Sequence, residues 1–236
     1  MSKLAFIFPG QGAQKAGMGK DFYENSEAAR SFFDQAQKIL DFDLKEMCFG
    51  EHEELNLTEY TQPCMVSVCL AIVQELKKRG INPDITAGLS LGEYAAVAAA
   101  SGMNELDAIK LVRRRGILMQ STVPAGEGAM AAVLGLDAKK IEEILESFEN
   151  VWIANYNCPG QIVITGLTNE VQQASLALKE AGAKRVVELK VSGPFHSLLL
   201  KPAGEALLKE MESMSFSTLQ VPYVANATAE IVTDSK

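Results

Sequence analysis

Ser90 stands in the stretch Gly88-Leu89-Ser90-Leu91-Gly92-Glu93. This is the G-x-S-x-G spacing in which a serine occupies a sharp strand-to-helix corner with its hydroxyl turned outward. Glycines flank such a corner because side chains there would collide with the crossing backbone. The residues from Asp84 to Gly88 read as a short strand, and the alanine-rich run after Gly92 reads as a helix. The free N–H groups and dipole of that helix favour the negative charge that develops when a hydroxyl attacks a carbonyl, so the pattern suits acyl transfer. A plain tight turn is the competing reading of the same residues.

A serine nucleophile needs a base, and the chain has two histidines. His52 lies in Glu51-His52-Glu53-Glu54, an acidic polar loop that suits a solvated ring. His196 stands in Gly193-Pro194-Phe195-His196-Ser197, at the start of an apolar helix expected from Leu198 onward. A positive helix end keeps the ring neutral, the form a general base needs; merely capping the helix is the alternative role. The third chemical group is an arginine. Asn104 caps a helix expected to run to about Gln120, and it carries Arg113-Arg114-Arg115. At 100° per residue Arg114 falls on a polar face with Asp107, Lys110 and Ser121, whereas Arg115 is flanked by Leu111, Leu118, Ala108 and Met119. A guanidinium in that apolar sector must find an anion, either an internal carboxylate or one carried by a substrate.

These groups need a scaffold. The apolar run Leu4 to Phe8, stopped by Pro9-Gly10, predicts a central strand of a parallel sheet, buried on both faces. The loop Pro9 to Gln14 that follows is either a flexible turn or a place where backbone approaches a ligand closely. Ser26 caps a helix through Phe32, Phe33 and Leu40, with Ala29, Phe32, Phe33 and Ala36 on its apolar face. Thr61-Gln62-Pro63 opens another, with Thr61 as cap and Pro63 in the first turn. Lys77, Lys78 and Arg79 end it and Gly80 follows at C′, leading through Asn82-Pro83 into the Ser90 strand. Strand, helix and strand in that order mark an α/β fold.

From Gly126 to Val191 the order becomes βαββαβ. Strands are expected at Met130 to Leu134, Val151 to Tyr156, Gln161 to Thr165 and Lys184 to Val191, with helices from Lys139 to Ser147 and Glu170 to Ala181. That is the ferredoxin-like split unit, which closes on its own sheet and can be inserted into a larger domain. Residues 1–125 and 192–236 then form a discontinuous catalytic domain around an insert at 126–191. Asn155 and Asn157 either turn the chain before Pro159-Gly160 or face a ligand.

Composition narrows the partners. A chain of 236 residues that is 47% hydrophobic can bury a full core, and a net charge of −8 argues against nucleic acid or an anionic membrane surface. Cys48, Cys64, Cys69 and Cys158 have no C-x-x-C spacing, and two histidines complete no zinc set, so no metal is expected. Reduced thiols in a cytoplasm are the simplest reading, and no run is long enough to span a bilayer.

Together these pieces resemble the malonyl-CoA:acyl carrier protein transacylase family, the acyltransferase component of fatty acid and polyketide synthesis. The resemblance rests on Gly10-Gln11-Gly12-Ala13-Gln14, Thr61-Gln62-Pro63, Gly88 to Tyr94, Arg115-Gly116, Asn155-Tyr156-Asn157 with Pro159-Gly160-Gln161, and Gly193 to Ser197. It implies an α/β-hydrolase-like parallel-sheet large domain with an inserted ferredoxin-like small domain. It implies Ser90 as nucleophile, His196 as base, backbone N–H groups of Gln11 and Leu91 as oxyanion hole, and Arg115, Gln62 and Phe195 as substrate-binding residues. Arg115 would pair with the malonyl carboxylate, and Phe195 would crowd an α-methyl group. Malonyl-CoA is then a substrate with no permanently bound cofactor, the acceptor is phosphopantetheine on acyl carrier protein, and a monomer is expected.

Two departures stand out. Leu89 replaces the family's usual histidine beside the nucleophile, removing a polar contact but not the reaction. The family also extends beyond the position of Lys236, where the carbonyl orienting the catalytic histidine is expected, so either the domain is C-terminally incomplete or another acceptor within the chain holds the ring. Two other classes compete: a serine thioesterase or hydrolase using the same corner, and a non-catalytic fragment that docks a carrier protein. The first leaves Arg115 without a role and shows no Ser, Asp/Glu, His order.

Overall fold

The computed structural model describes residues 3–124, 126–189, 191 and 193–234. The chain divides into two compact units, one of Met1–Ile117 with Lys209–Lys236 and the other of Leu118–Leu208. The first contains β1 (Ala5–Phe8), α1 (Lys20–Asn25), α2 (Glu27–Gln37), α3 (Leu44–Phe49), a 3-10 turn at Glu53–Asn56, and α4 (Thr58–Lys78). It continues with β2 (Ile85–Gly88), α5 (Gly92–Ala99) and most of α6 (Glu105–Thr122). The second holds β3 (Gly128–Leu134), α7 (Ala138–Leu145), β4 (Val151–Cys158), β5 (Gln161–Leu167), α8 (Thr168–Glu180) and β6 (Arg185–Glu188). A 3-10 turn at Leu198–Leu200 leads into α9 (Lys201–Glu212), after which β7 (Tyr223–Val224) and β8 (Ile231–Val232) return to the first unit.

The first sheet has the order β1-β2-β7-β8, with β1, β2 and β7 parallel and β8 antiparallel to β7. Phe8 pairs with Gly88, so the carboxyl ends of β1 and β2 lie side by side. In open α/β sheets that is the end where ligands bind. The expectation of a central first strand is corrected here. Among the described residues β1 pairs with β2 alone, and Ile7 is 77% exposed while Phe8 is buried. An unbroken apolar run reports what a strand could bury, not how many neighbours it has.

Two helix starts also differ from the sequence reading. α4 begins at Thr58, three residues before the expected cap, and the Thr61 hydroxyl donates back to the carbonyls of Leu55 at 2.6 Å and Leu57 at 3.0 Å. Pro63 therefore sits in the second turn, where its missing N–H leaves the Glu59 carbonyl without the usual helical donor. Arg113 Nη1 donates to that carbonyl instead, at 2.8 Å. The expected apolar helix after His196 opens as a 3-10 turn and becomes α-helical at Lys201. The opposite end of α4 follows the reading: Gly80 has φ 73°, and the Ile81 N–H reaches the Leu76 carbonyl at 2.9 Å, a Schellman closure.

The second unit carries a four-stranded sheet of order β4-β5-β3-β6 with every neighbouring pair antiparallel. Its α7 and α8 bury Ile141, Leu145, Val171, Ala174 and Leu178 against Val133, Ile162 and Ile164. The unit is wider than the insert at 126–191 because Met119, Phe195 and Ala203 join Met130 and Val163 in a second apolar cluster. The regular part of the last strand stops at Glu188; Lys190 and the expected boundaries at 125 and 192 lie outside the described residues. Asn155 pairs within β4 opposite Val163, next to a bulge, so it forms strand and not the turn. Among the described residues no helix is long and apolar enough to cross a membrane.

At the end of α5, Ser101 closes the helix with φ 67° while the Gly102 N–H reaches the Val97 carbonyl. A left-handed residue with a Cβ costs about 1 kcal/mol there. Ser101→Gly is expected to stabilise the protein by about that amount and raise the thermal midpoint by about 2–4 °C. A midpoint that stays or falls in a calorimetric scan would contradict the assigned closure.

Candidate active site

The corner at Ser90 is built by exclusion of side chains. A Cβ placed on Gly88 would lie 2.0 Å from the Gly92 carbonyl carbon, and one on Gly92 would lie 2.3 Å from the Phe8 carbonyl oxygen. Strand end, helix start and neighbouring strand thus press together at one point. Ser90 itself has φ 49°, the left-handed region that a non-glycine residue enters only under constraint. Three hydrogen bonds supply that constraint: Leu89 N–H to Phe8 at 3.1 Å, Gly92 N–H to the Leu89 carbonyl at 2.9 Å, and Ser90 N–H to Asn226 Oδ1 at 2.9 Å.

The loop after β1 lies against this corner, since a Cβ on Gly10 would come within 2.9 Å of the Leu89 carbonyl oxygen. Gln11 turns its amide side chain onto the start of α4, donating to Thr58 Oγ1 at 3.1 Å. Among the described residues, neither the Gln11 nor the Leu91 backbone N–H is committed to an internal acceptor. Both remain able to donate to a ligand. Gln62 is fully buried on α4, in the helix that also carries Thr58.

The three arginines of α6 meet three environments. Arg113 is clamped by Asp41 at 2.9 Å and Glu59 at 3.0 Å, with its guanidinium 5.2 Å from the Phe42 ring centroid and 4.9 Å from that of Tyr60. Its hydrogen bond holds the Asp41 carboxyl below the usual range. Arg114 is exposed and pairs with Glu210 at 2.8 Å. Arg115 has no carboxylate partner among the described residues. Its Nη2 lies 3.4 Å from Ser90 Oγ, and its guanidinium sits 5.5 Å from the Tyr94 ring centroid. Burial pushes the Tyr94 hydroxyl up, an effect the Arg115 charge partly offsets, so Tyr94 offers a neutral aromatic face to the cation. The internal carboxylate pair weighed as the alternative for Arg115 is therefore not formed among the described residues.

Ser90, Arg115, Gln11, Leu91 and Gln62 all belong to the first unit, and His196 and Phe195 to the second. His196 is exposed with φ 60°, in a turn where Ser197 Oγ donates to the Pro194 carbonyl at 2.7 Å. Phe195 is buried in the apolar cluster of its unit.

A family model described as "Acyl transferase domain" matches residues 5–235. The chain belongs to the acyl transferase domain family. Among its relatives, the malonyl CoA-acyl carrier protein transacylase of Bacillus subtilis (strain 168) is 46% identical over 239 residues, covering 99% of this chain and 75% of that protein. A crystal structure of an acyl carrier protein S-malonyltransferase from Vibrio cholerae superposes with a TM-score of 0.94 at 40% identity, over 99% of this chain and 78% of that one. Another, of a type II PKS acyl-carrier protein in complex with its malonyl-transacylase, gives 0.94 at 38%, over 99% and 77%.

For this acyl transferase domain, sequence reasoning missed Asn226 and Glu93. Glu93 Oε1 accepts the Asn226 N–H at 2.8 Å, so the two residues brace the corner from the side of β7. The signal was the short apolar run Val221 to Ala225 ending on an asparagine, which reads as strand and turn but does not say which strand it joins. The tightness of the corner has a direct consequence. Gly88→Ala should destabilise the fold by about 3 kcal/mol or more, because the colliding atoms are backbone and cannot move aside. A urea midpoint equal to that of the parent protein would contradict this geometry.

Proposed function

We propose that this chain transfers a malonyl group from coenzyme A to the phosphopantetheine thiol of acyl carrier protein through an acyl-serine on Ser90. The observation that carries the reading is a constrained serine hydroxyl beside a guanidinium, Arg115, that has no carboxylate partner among the described residues. The names of the relatives above point to the same acyl group and carrier.

In the first half-reaction Ser90 Oγ attacks the thioester carbonyl. The Oγ–C bond forms as the C–S bond breaks, and His196 takes the hydroxyl proton and returns it to the departing coenzyme A sulfur. In the second, the carrier thiol attacks the acyl-serine, and His196 moves the thiol proton to Ser90 Oγ. The N–H groups of Gln11 and Leu91 hold the carbonyl oxygen while it carries negative charge. Arg115 takes the free malonyl carboxylate in bidentate fashion, whereas an acetyl group would leave the guanidinium unpaired. Gln62 contributes to the acyl site, and Phe195 crowds an α-methyl group, which favours malonyl over methylmalonyl. The chemistry runs between two thioesters and needs no resident cofactor.

The same reading treats the first unit as an α/β-hydrolase-like domain and residues 126–191 as a ferredoxin-like insert, supported by the βαββαβ order and the strand order β4-β5-β3-β6. It places the protein in the cytoplasm, acting as a monomer.

Incubation with malonyl-CoA should give an intact-mass adduct on the protein that Ser90→Ala does not form. No adduct on the unmodified chain, or one that persists in Ser90→Ala, would end the assignment. Arg115→Ala should lower malonyl transfer by about 100-fold or more, roughly 3 kcal/mol, while sparing or raising acetyl transfer. An equal fall for both acyl groups would make Arg115 a structural residue.

A further inference from the structure

We infer that Asn226 and Glu93 form a positioning pair that holds the Ser90 peptide in its reactive conformation. The inference rests on the reading of Ser90 as nucleophile. Asn226 Oδ1 accepts the N–H of Ser90 itself, at 2.9 Å and across 136 positions of sequence. Its own N–H is held by Glu93 Oε1 at 2.8 Å, and Glu93 stands in the first turn of α5, where its N–H reaches the Ser90 carbonyl at 3.1 Å. The result is a closed loop of hydrogen bonds: Ser90 N–H to Asn226, Asn226 N–H to Glu93, and Glu93 N–H to Ser90.

The hairpin that presents Asn226 is itself fixed. β7 runs parallel to β2 with Thr86 opposite Tyr223 and Ala87 opposite Val224. Continuing that register carries Asn226 level with the corner. The Ala225 N–H closes the hairpin on the Glu230 carbonyl at 2.9 Å, and the Ala229 N–H returns to the Ala225 carbonyl at 2.8 Å. Asn226 is therefore anchored by the sheet on one side and by α5 on the other.

The Asn226 bond holds the Leu89–Ser90 plane that carries the Ser90 N–H, and the Glu93 N–H, bonded to the Ser90 carbonyl, holds the following plane that carries the Leu91 N–H; together they keep Ser90 at φ 49°. Release of the Asn226 bond would free the Leu89–Ser90 plane, let Ser90 relax from its left-handed φ and swing its hydroxyl from alignment, where displacements near 1 Å cost about 100-fold in rate. The pair acts through the Ser90 backbone and has no assigned contact with acyl group or thiol. Its loss must slow every acyl group alike, unlike loss of Arg115.

Single-turnover acylation followed by intact mass tests this. Asn226→Ala is expected to slow malonylation and acetylation of Ser90 by the same factor, about 10- to 100-fold, with KM for malonyl-CoA unchanged. Asn226→Asp, which keeps an acceptor oxygen in place, should recover the rate to within about threefold. Asn226→Ala acylating at the parent rate while folded by circular dichroism overturns the inference, as does a loss confined to malonyl. Should Asn226→Ala fail to fold, Glu93→Ala gives the same reading through the second bond: equal slowing of both acyl groups supports the pair, and parent rates refute it. An adduct persisting in Ser90→Ala ends the nucleophile assignment and this inference with it, whereas a Ser90-dependent adduct formed at full rate by Asn226→Ala ends this inference alone.

Discussion

The parallel pairing that sets Phe8 beside Gly88 constrains everything else in the first unit. With those two strand ends in register, the chain leaving β2 turns at once and starts α5 against the end of β1. It turns at Ser90, and there is room only because Gly88 and Gly92 present no side chains to backbone lying 2.0 and 2.3 Å from where a Cβ would stand. A serine held left-handed at such a point costs about 1 kcal/mol or more in backbone strain. The strain persists because neighbouring groups over-determine the turn, with the strand, the helix and the β7 hairpin each contributing a hydrogen bond.

The second requirement is a cation that reaches the same place unneutralised, and α6 provides it by exhausting other carboxylates first. Gly116 lets α6 approach α4 so closely that a Cβ there would stand 2.7 Å from the Thr58 carbonyl oxygen and the Glu59 Cα. At that contact Pro63 leaves the Glu59 carbonyl open, and Arg113 fills it while also taking Asp41 and the Glu59 carboxylate. Arg114, one step around the helix, faces Glu210. Arg115 is turned a further 100° toward Tyr94 and Ser90, where the described residues offer an aromatic face and a hydroxyl but no anion. Three identical side chains in sequence thus become two ion-paired guanidiniums and one with no carboxylate partner among the described residues.

Legibility in the sequence followed the range of each interaction. The Ser90 corner, the Asn104 cap, the Gly80 closure and the apolar face of Ala29, Phe32, Phe33 and Ala36 depend on residues within a few positions, and their patterns are explicit. The βαββαβ order of the second unit was readable for the same reason. What escaped depends on distant pairing. An apolar run could not say that β1 lies at a described sheet edge, and two-residue strands such as β7 are too short to show alternation. Thr61 carries a cap's chemistry yet uses it inside the helix, because the carbonyls of Leu55 and Leu57 already stand within reach.

Leu89 shows how the corner tolerates a change beside its nucleophile. Its side chain is 49% exposed and folds along the Gly10 loop, where a Cβ on Gly10 would lie 3.3 Å from the Leu89 Cγ. A leucine there can donate nothing to a reacting carbonyl. The N–H groups of Gln11 and Leu91, the donors of the proposed mechanism, are main-chain, and the strand register, Gly88, Gly92 and Asn226 that shape the corner do not involve the side chain at 89. Donors supplied by backbone do not depend on the identity of the side chain beside them. In the proposed mechanism discrimination among acyl groups falls to Arg115 on α6, a different element from the corner, so acceptance of an acyl group and activation of the hydroxyl rest on separate supports.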